Sequence, residues 1–196
     1  MRTTSNQKYE ITEISHEKYP FLHRIRALRD VSAEVSAGDL GGFVESESNL
    51  SFEPDDTAWI FDDAIACNDA YVDKGGVLRG EAVVCDNAYI SMGAVLSGHA
   101  RVEDNAYIRG AVLSASARAS GFSMILNDKD TMGVPILSGH CAVYGKVSGD
   151  VRLTGSALVI SGEEIRNDTL DTLVISGKNR SVIRDSSRDE LAPQQP

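Results

Sequence analysis

From Trp59 onward the chain reads as consecutive hexads: WIFDDA, IACNDA, YVDKGG, VLRGEA, VVCDNA, YISMGA, VLSGHA and RVEDNA. The second position runs Ile60, Ala66, Val72, Leu78, Val84, Ile90, Leu96, Val102, and the sixth runs Ala64, Ala70, Gly76, Ala82, Ala88, Ala94, Ala100, Ala106. An aliphatic residue followed four places later by a very small one is neither the alternation of a half-buried strand nor a helical stripe. A path of short strand, corner, short strand explains it. The aliphatic side chain points inward from a flat side, and the small one points inward beside a bend where space is short. The residue before each small one is Gly, Asn, Asp or His in all but one hexad. These types tolerate positive φ best, so this fifth position is expected to carry the corner's left-handed backbone. Three hexads then close a triangular coil, and coils stack at about 4.8 Å.

The rest of the composition agrees with such a fold. At 196 residues the chain suits one domain, and only 6% of it is aromatic, so small and β-branched side chains must fill the core. A formal net charge of −10 argues against nucleic acid or an anionic membrane as the main partner, because both demand concentrated Lys and Arg. No stretch is apolar enough to span a bilayer, and residues 1–8 lack the apolar run of a signal peptide. The expected location is therefore cytoplasmic, with Cys67, Cys85 and Cys141 reduced. Cys67 and Cys85 share a column one coil apart. A disulfide is within geometric reach there, but chance pairing is the simpler reading in a reducing compartment, and a two-Cys metal site lacks further ligands. No metal is expected.

Three regions follow. Residues 1–58 form an N-terminal β cap and a polar lead-in, with strand-like runs at Tyr9–Ile14 and Arg24–Leu28 that protect an otherwise open coil end. Residues 59–162 form the hexad β-helix. It skips one residue at 107–111 and is interrupted by a protruding loop at 122–135 before resuming at Ile136. Residues 163–196 supply C-terminal strands and then a polar tail, 185–196, expected to be disordered.

The hexads resemble those of the hexapeptide-repeat superfamily, the left-handed β-helices best known for acyltransferases. The segments Leu22–Asp30 and Gly38–Ser46 are similar to YdcK-type proteins of enteric bacteria, described as acetyltransferases, and this likeness covers residues 1 to about 165. The resemblance implies an all-β, single-stranded, left-handed parallel β-helix. It also implies acetyl-CoA or another acyl-CoA as co-substrate, a small-molecule acceptor, a His general base, and a homo-oligomer, most simply a trimer.

Four His residues are available for that role. His99 and His140 both occupy the corner position, and His99 stacks above Glu81 and Asp63 in one column, where a carboxylate one coil away would orient an imidazole. The competing reading is that both are there because His tolerates the corner backbone. His16 and His23 lie in the cap, where a structural role is the simpler assignment. The loop tip, Asn127, Asp128, Lys129 and Asp130, is a candidate substrate contact, since excursions from rigid scaffolds often bind ligands. Its alternative is a neutral insertion. Arg109, Arg118, Lys129 and Lys146 are the basic residues available for CoA phosphates.

Outward columns carry Tyr71, Tyr89 and Tyr107 on one face, Trp59, Val77 and Val95 on a second, and Ile65, Val83 and Arg101 on a third. Such regular apolar columns call for a cover, and a second copy is the simplest, which marks Trp59, Val77, Val95 and the three Tyr residues as a candidate oligomer interface. A sugar-binding strip is the alternative for the Tyr column. Two departures weigh against catalysis. The third hexad position, Phe61, Cys67, Asp73, Arg79, Cys85, Ser91, Ser97, Glu103, lacks the Gly common in the resembled enzymes, and the Pro-Ala-Lys ending that accompanies their CoA site is missing. A non-catalytic scaffold or binding module therefore stands beside the acyltransferase reading.

Overall fold

Because each inward position repeats every third hexad, the chain winds into a prism whose three faces are parallel sheets. The computed structural model describes residues 6–185. It forms seven coils, with the strands of each face paired in register to those one coil away. Among the described residues there is no α-helix, and a single 3₁₀ turn lies at Glu47–Asn49.

Each face contributes its own inward column. The first supplies Val44, Ala66, Val84, Val102, Ala119, Val143 and Val159. The second supplies Leu50, Val72, Ile90, Ile108, Ile125, Val147 and Ile165. The third supplies Ile60, Leu78, Leu96, Leu113, Leu137, Leu153 and Ile175. Almost all are completely buried, each worth about 1.5–3 kcal/mol for the larger aliphatics. The sixth-position alanines are equally buried, filling the corners that a larger side chain would block.

The corner backbone differs from expectation. Positive φ falls on the fourth hexad position, at Asp62, Asn68, Lys74, Gly80, Asp86, Met92, Gly98 and Asp104, and reaches the fifth only at Gly75 and Gly93. A four-residue turn explains this. The small sixth residue donates its N–H to the third residue's carbonyl, as in Ala64 to Phe61 at 3.1 Å and Ala82 to Arg79 at 3.3 Å, which makes the fourth residue the first of the two central ones. Short polar side chains suit it because they also bond to the next coil. On the corner between first and second faces, Glu45 accepts from the Asn68 N–H at 2.8 Å, Asn68 from Asp86 at 3.3 Å, Asp86 from Asp104 at 3.1 Å, and Asp104 from Gly121 at 2.8 Å. Corner N–H groups that the sheets cannot reach are thus satisfied by the coil below.

Region boundaries also shift. The cap is an antiparallel meander of β1 (Tyr9–Ser15), β2 (His23–Ala27) and β3 (Leu40–Val44). β3 then pairs in parallel with Ile65–Ala66, and Leu50 bridges Val72, so coiling begins at residue 40, well before Trp59. Lys8 donates to the Ser51 carbonyl at 2.8 Å and the Tyr9 hydroxyl to the Leu50 carbonyl at 2.9 Å, locking the cap onto this first coil. At the other end, Glu164–Asn167 and Thr172–Ser176 complete the seventh coil, and Asn179–Ile183 closes the third face as an antiparallel strand. The tail from residue 186 lies outside the described residues.

Candidate functional site

The corner between third and first faces carries a column of fifth-position residues: Asp63, Glu81, His99, Ser116, His140 and Ser156. Each of the first five donates its N–H to the corner of the coil above, as in His99 to Ala115 at 2.7 Å and His140 to Gly155 at 2.8 Å. His99 and His140 therefore share one edge, separated by Ser116 and about 10 Å of rise at about 4.8 Å per coil. Neither has positive φ, which belongs to the preceding Gly98 and Gly139. Backbone tolerance thus does not account for either histidine. His99 has a specific neighbour, since its Nδ1 lies 3.4 Å from Glu81 Oε2 with both side chains largely in solvent. His140 has no comparable partner among the described contacts.

Glu81 also lines a cleft of about 580 Å³ between the cap and the first face. The connection from β1 to β2 forms one wall through His16, Glu17, Lys18 and Tyr19, while Phe43, Ile65 and Val83 form an apolar floor. The wall is fixed from within. His16 Nδ1 accepts from the N–H groups of Lys18 and Tyr19, and its ring meets Phe43 edge-on at 4.8 Å. Among the described residues its Nε2 meets no hydrogen-bond partner. Arg24 spans the floor with its guanidinium 4.2 Å from the Phe43 ring centre, and ion-pairs with Asp63 at 2.6 Å. The signal for this cleft in the sequence was the pairing of His16 with Tyr19 in a cap that the hexad does not organise.

The interruption is shorter than its sequence outline. Met124–Leu126 is an ordinary strand of the second face, paired with Tyr107–Arg109 and Lys146–Ser148, so only residues 127–135 leave the coil. Two of the four tip candidates are committed internally. Asn127 is clamped by Arg109, whose Nε reaches its Oδ1 at 2.9 Å. Asp128 Oδ1 accepts from the N–H groups of Thr131 and Asp130, which hold its carboxyl below the usual range. Lys129 and Asp130 remain exposed. This loop leaves the corner between second and third faces, whereas His99 and His140 stand on the next corner, so a single chain does not bring them together.

The outward columns divide as well. Trp59 is 1% exposed because Tyr9 of the cap packs edge-on against it, with ring centres 6.3 Å apart. It is thereby removed from the surface offered to a second copy. Val77, Val95, Val112 and Ile136 continue the third face as a half-buried apolar stripe. The three tyrosines do stack, Tyr71 on Tyr89 at 5.9 Å and Tyr89 on Tyr107 at 5.1 Å, within 16° and 9° of parallel. Their faces are spent on one another, leaving edges outward, which removes the flat platform a sugar strip requires. The Tyr89 hydroxyl donates to Asp73 at 2.8 Å, anchoring the ladder to the preceding rung.

Among the described residues, no group of three or more His, Cys, Asp or Glu is placed to hold a metal ion, and no helix is long and apolar enough to cross a membrane. In comparisons with known proteins, no family model and no curated protein matches this chain.

Proposed function

We propose that this β-helix is an acyltransferase-type enzyme that moves an acyl group from acyl-CoA to a small acceptor, with His99 as general base. The observation that carries the reading is the Glu81–His99 contact across one rung at the margin of the cap cleft. Glu81 orients the imidazole, and His99 accepts a proton from the acceptor's hydroxyl or amine as it attacks the thioester carbonyl. The apolar floor of Phe43, Ile65 and Val83 suits the acyl and pantetheine portions, and the left-handed winding of the resembled family belongs to the same reading. Assembly of copies through the third-face stripe, most simply as a trimer, would set a neighbour's 127–135 loop, with Lys129, beside the His edge.

The test is calorimetric titration with acetyl-CoA, followed by release of free CoA thiol in the presence of a panel of amines and alcohols. Saturable binding is expected. His99→Ala should lower turnover by about 10²–10⁴-fold with affinity retained, and Glu81→Gln by less. A folded protein that fails to bind acetyl-CoA at millimolar concentration overturns the proposal. The exposure of His99 and its open surroundings favour a second reading, a non-catalytic binding module, and that outcome would select it.

A further inference from the structure

Two of the three cysteines meet on the first face, outside the Glu81–His99 site. Cys67 and Cys85 follow the paired strands Ile65–Ala66 and Val83–Val84 at the same register, and the Cys67 N–H donates to the Val84 carbonyl at 3.1 Å. In-register neighbours on adjacent parallel strands are about 4.8 Å apart at Cα, inside the separation of about 4.4–6.8 Å that a disulfide spans. Cys67 is half-buried and reachable, whereas Cys85 is 7% exposed beneath its neighbours. Arg101, one coil further, places Nη2 at 3.8 Å from Cys85 Sγ, so a guanidinium faces the sulfur pair. The carboxylates of Glu45 and Asp86 face it too and oppose ionisation. The neighbouring Cys85 thiol nevertheless lowers the Cys67 thiol below its ordinary value, while Cys67 and burial raise Cys85, whose Sγ also lies 3.8 Å from Asp86 Oδ2. Cys141, fully buried in a corner and raised by desolvation, stands apart.

We infer that Cys67 and Cys85 are a thiol–disulfide couple, with Cys67 the attacking and Cys85 the resolving residue, oxidised by a small-molecule disulfide. The Cys67 thiolate attacks one sulfur of the oxidant, forming a mixed disulfide and releasing one equivalent of small thiolate. Cys85, giving up its proton to solvent, then attacks the Cys67 sulfur and displaces the second equivalent. Two electrons pass from the protein thiols to the oxidant, and the Cys67–Cys85 bond closes. Its place beside Ile65 and Val83 puts the cross-link next to the floor of the cap cleft.

The native full-length protein should be incubated with oxidised glutathione, its thiols counted, and its peptides mapped by mass spectrometry. Two of the three thiols should disappear, with residues 67 and 85 joined in one peptide pair, Cys141 still free, and full recovery after dithiothreitol. Cys85→Ser should trap glutathione on Cys67, and Cys67→Ser should leave Cys85 unmodified. A wild-type protein that keeps three free thiols, stops at a glutathione adduct on Cys67, or cross-links only between molecules overturns the inference.

Discussion

Asp104 tests the corner logic directly, because it combines the left-handed backbone with the inter-coil bond. Its φ is +61°, and its Oδ2 accepts from the Gly121 N–H at 2.8 Å. Replacement by Ala removes the acceptor, a net loss of about 0.5–1.5 kcal/mol for a bond open to solvent. It also leaves a Cβ in the left-handed region, where L-residues lie about 1–2 kcal/mol above right-handed geometry and Asp is among the most tolerant. The total for Asp104→Ala is about 2 kcal/mol. Gly removes the acceptor but relieves the backbone, so Asp104→Gly should lose only about 1 kcal/mol. Asn keeps both an oxygen acceptor and the tolerance, so Asp104→Asn should stay within about 0.5 kcal/mol of wild type. The stability order is therefore Asp ≈ Asn > Gly > Ala. Urea unfolding followed by circular dichroism measures it. In a chain of this length about 2–4 °C of Tm accompanies each kcal/mol, so Ala should lower Tm by about 4–8 °C. If Ala proves as stable as Gly, left-handed strain at the fourth position is not what selects Asp. If Asn falls as far as Ala, charge rather than hydrogen bonding is responsible.

Lys8 is fully buried, and desolvation lowers its pKa from 10.5 to about 8, with Asp56 acting in the opposite direction. Between about pH 8 and 10 the unfolded chain holds a proton on Lys8 that the folded one has released, so Lys8 by itself should add about 2 kcal/mol of stability across that window. The buried Cys85 and Cys141 thiols, raised in the folded chain, act against it above about pH 9, where only the unfolded chain ionises them, and the raised Tyr9 hydroxyl does so above about pH 10. Chemical unfolding of wild type and Lys8→Met at pH 7, 8, 9 and 10 isolates the Lys8 share, and a difference between the two that stays flat with pH would refute it. Trp59→Ala empties the contact under Tyr9 and should destabilise by about 3–5 kcal/mol, with the cap amides losing hydrogen-exchange protection first. Uniform loss of protection along the coils would count against the cap resting on Trp59.

Several parts of this architecture were readable from residue order alone. A six-residue period with aliphatic and very small positions has few physical solutions, because strand, corner and inward direction are all set by neighbours along the chain. The stacking of the tyrosines and the shared edge of Asp63, Glu81 and His99 follow from counting three hexads per coil. Two features hid from that count. Positive φ sits one place earlier than residue type suggested, since the position depends on which N–H closes the turn, and Asp and Asn occur at both the fourth and fifth positions. The extent of the coil was hidden as well. β3 and Leu50 enter the first coil through pairing with residues more than twenty places away, and Met124–Leu126 joins the second face despite lying in a stretch that breaks the repeat.

The site shows the same division more sharply. The hexad by itself determined that His99 stands one rung above Glu81, because a helix of fixed period converts sequence spacing into rise. Only the tertiary structure decided that the cap folds back over the first coil. On the third face it buries Trp59 beneath Tyr9, and on the first it encloses a cleft lined by His16 and Phe43 beside Glu81. The cap has no period, and its place is set by antiparallel pairing, by Lys8 and Tyr9 reaching the carbonyls of the first coil, and by Arg24 spanning Phe43 to Asp63. Contacts of that kind join residues far apart in the chain and leave no regular spacing in it.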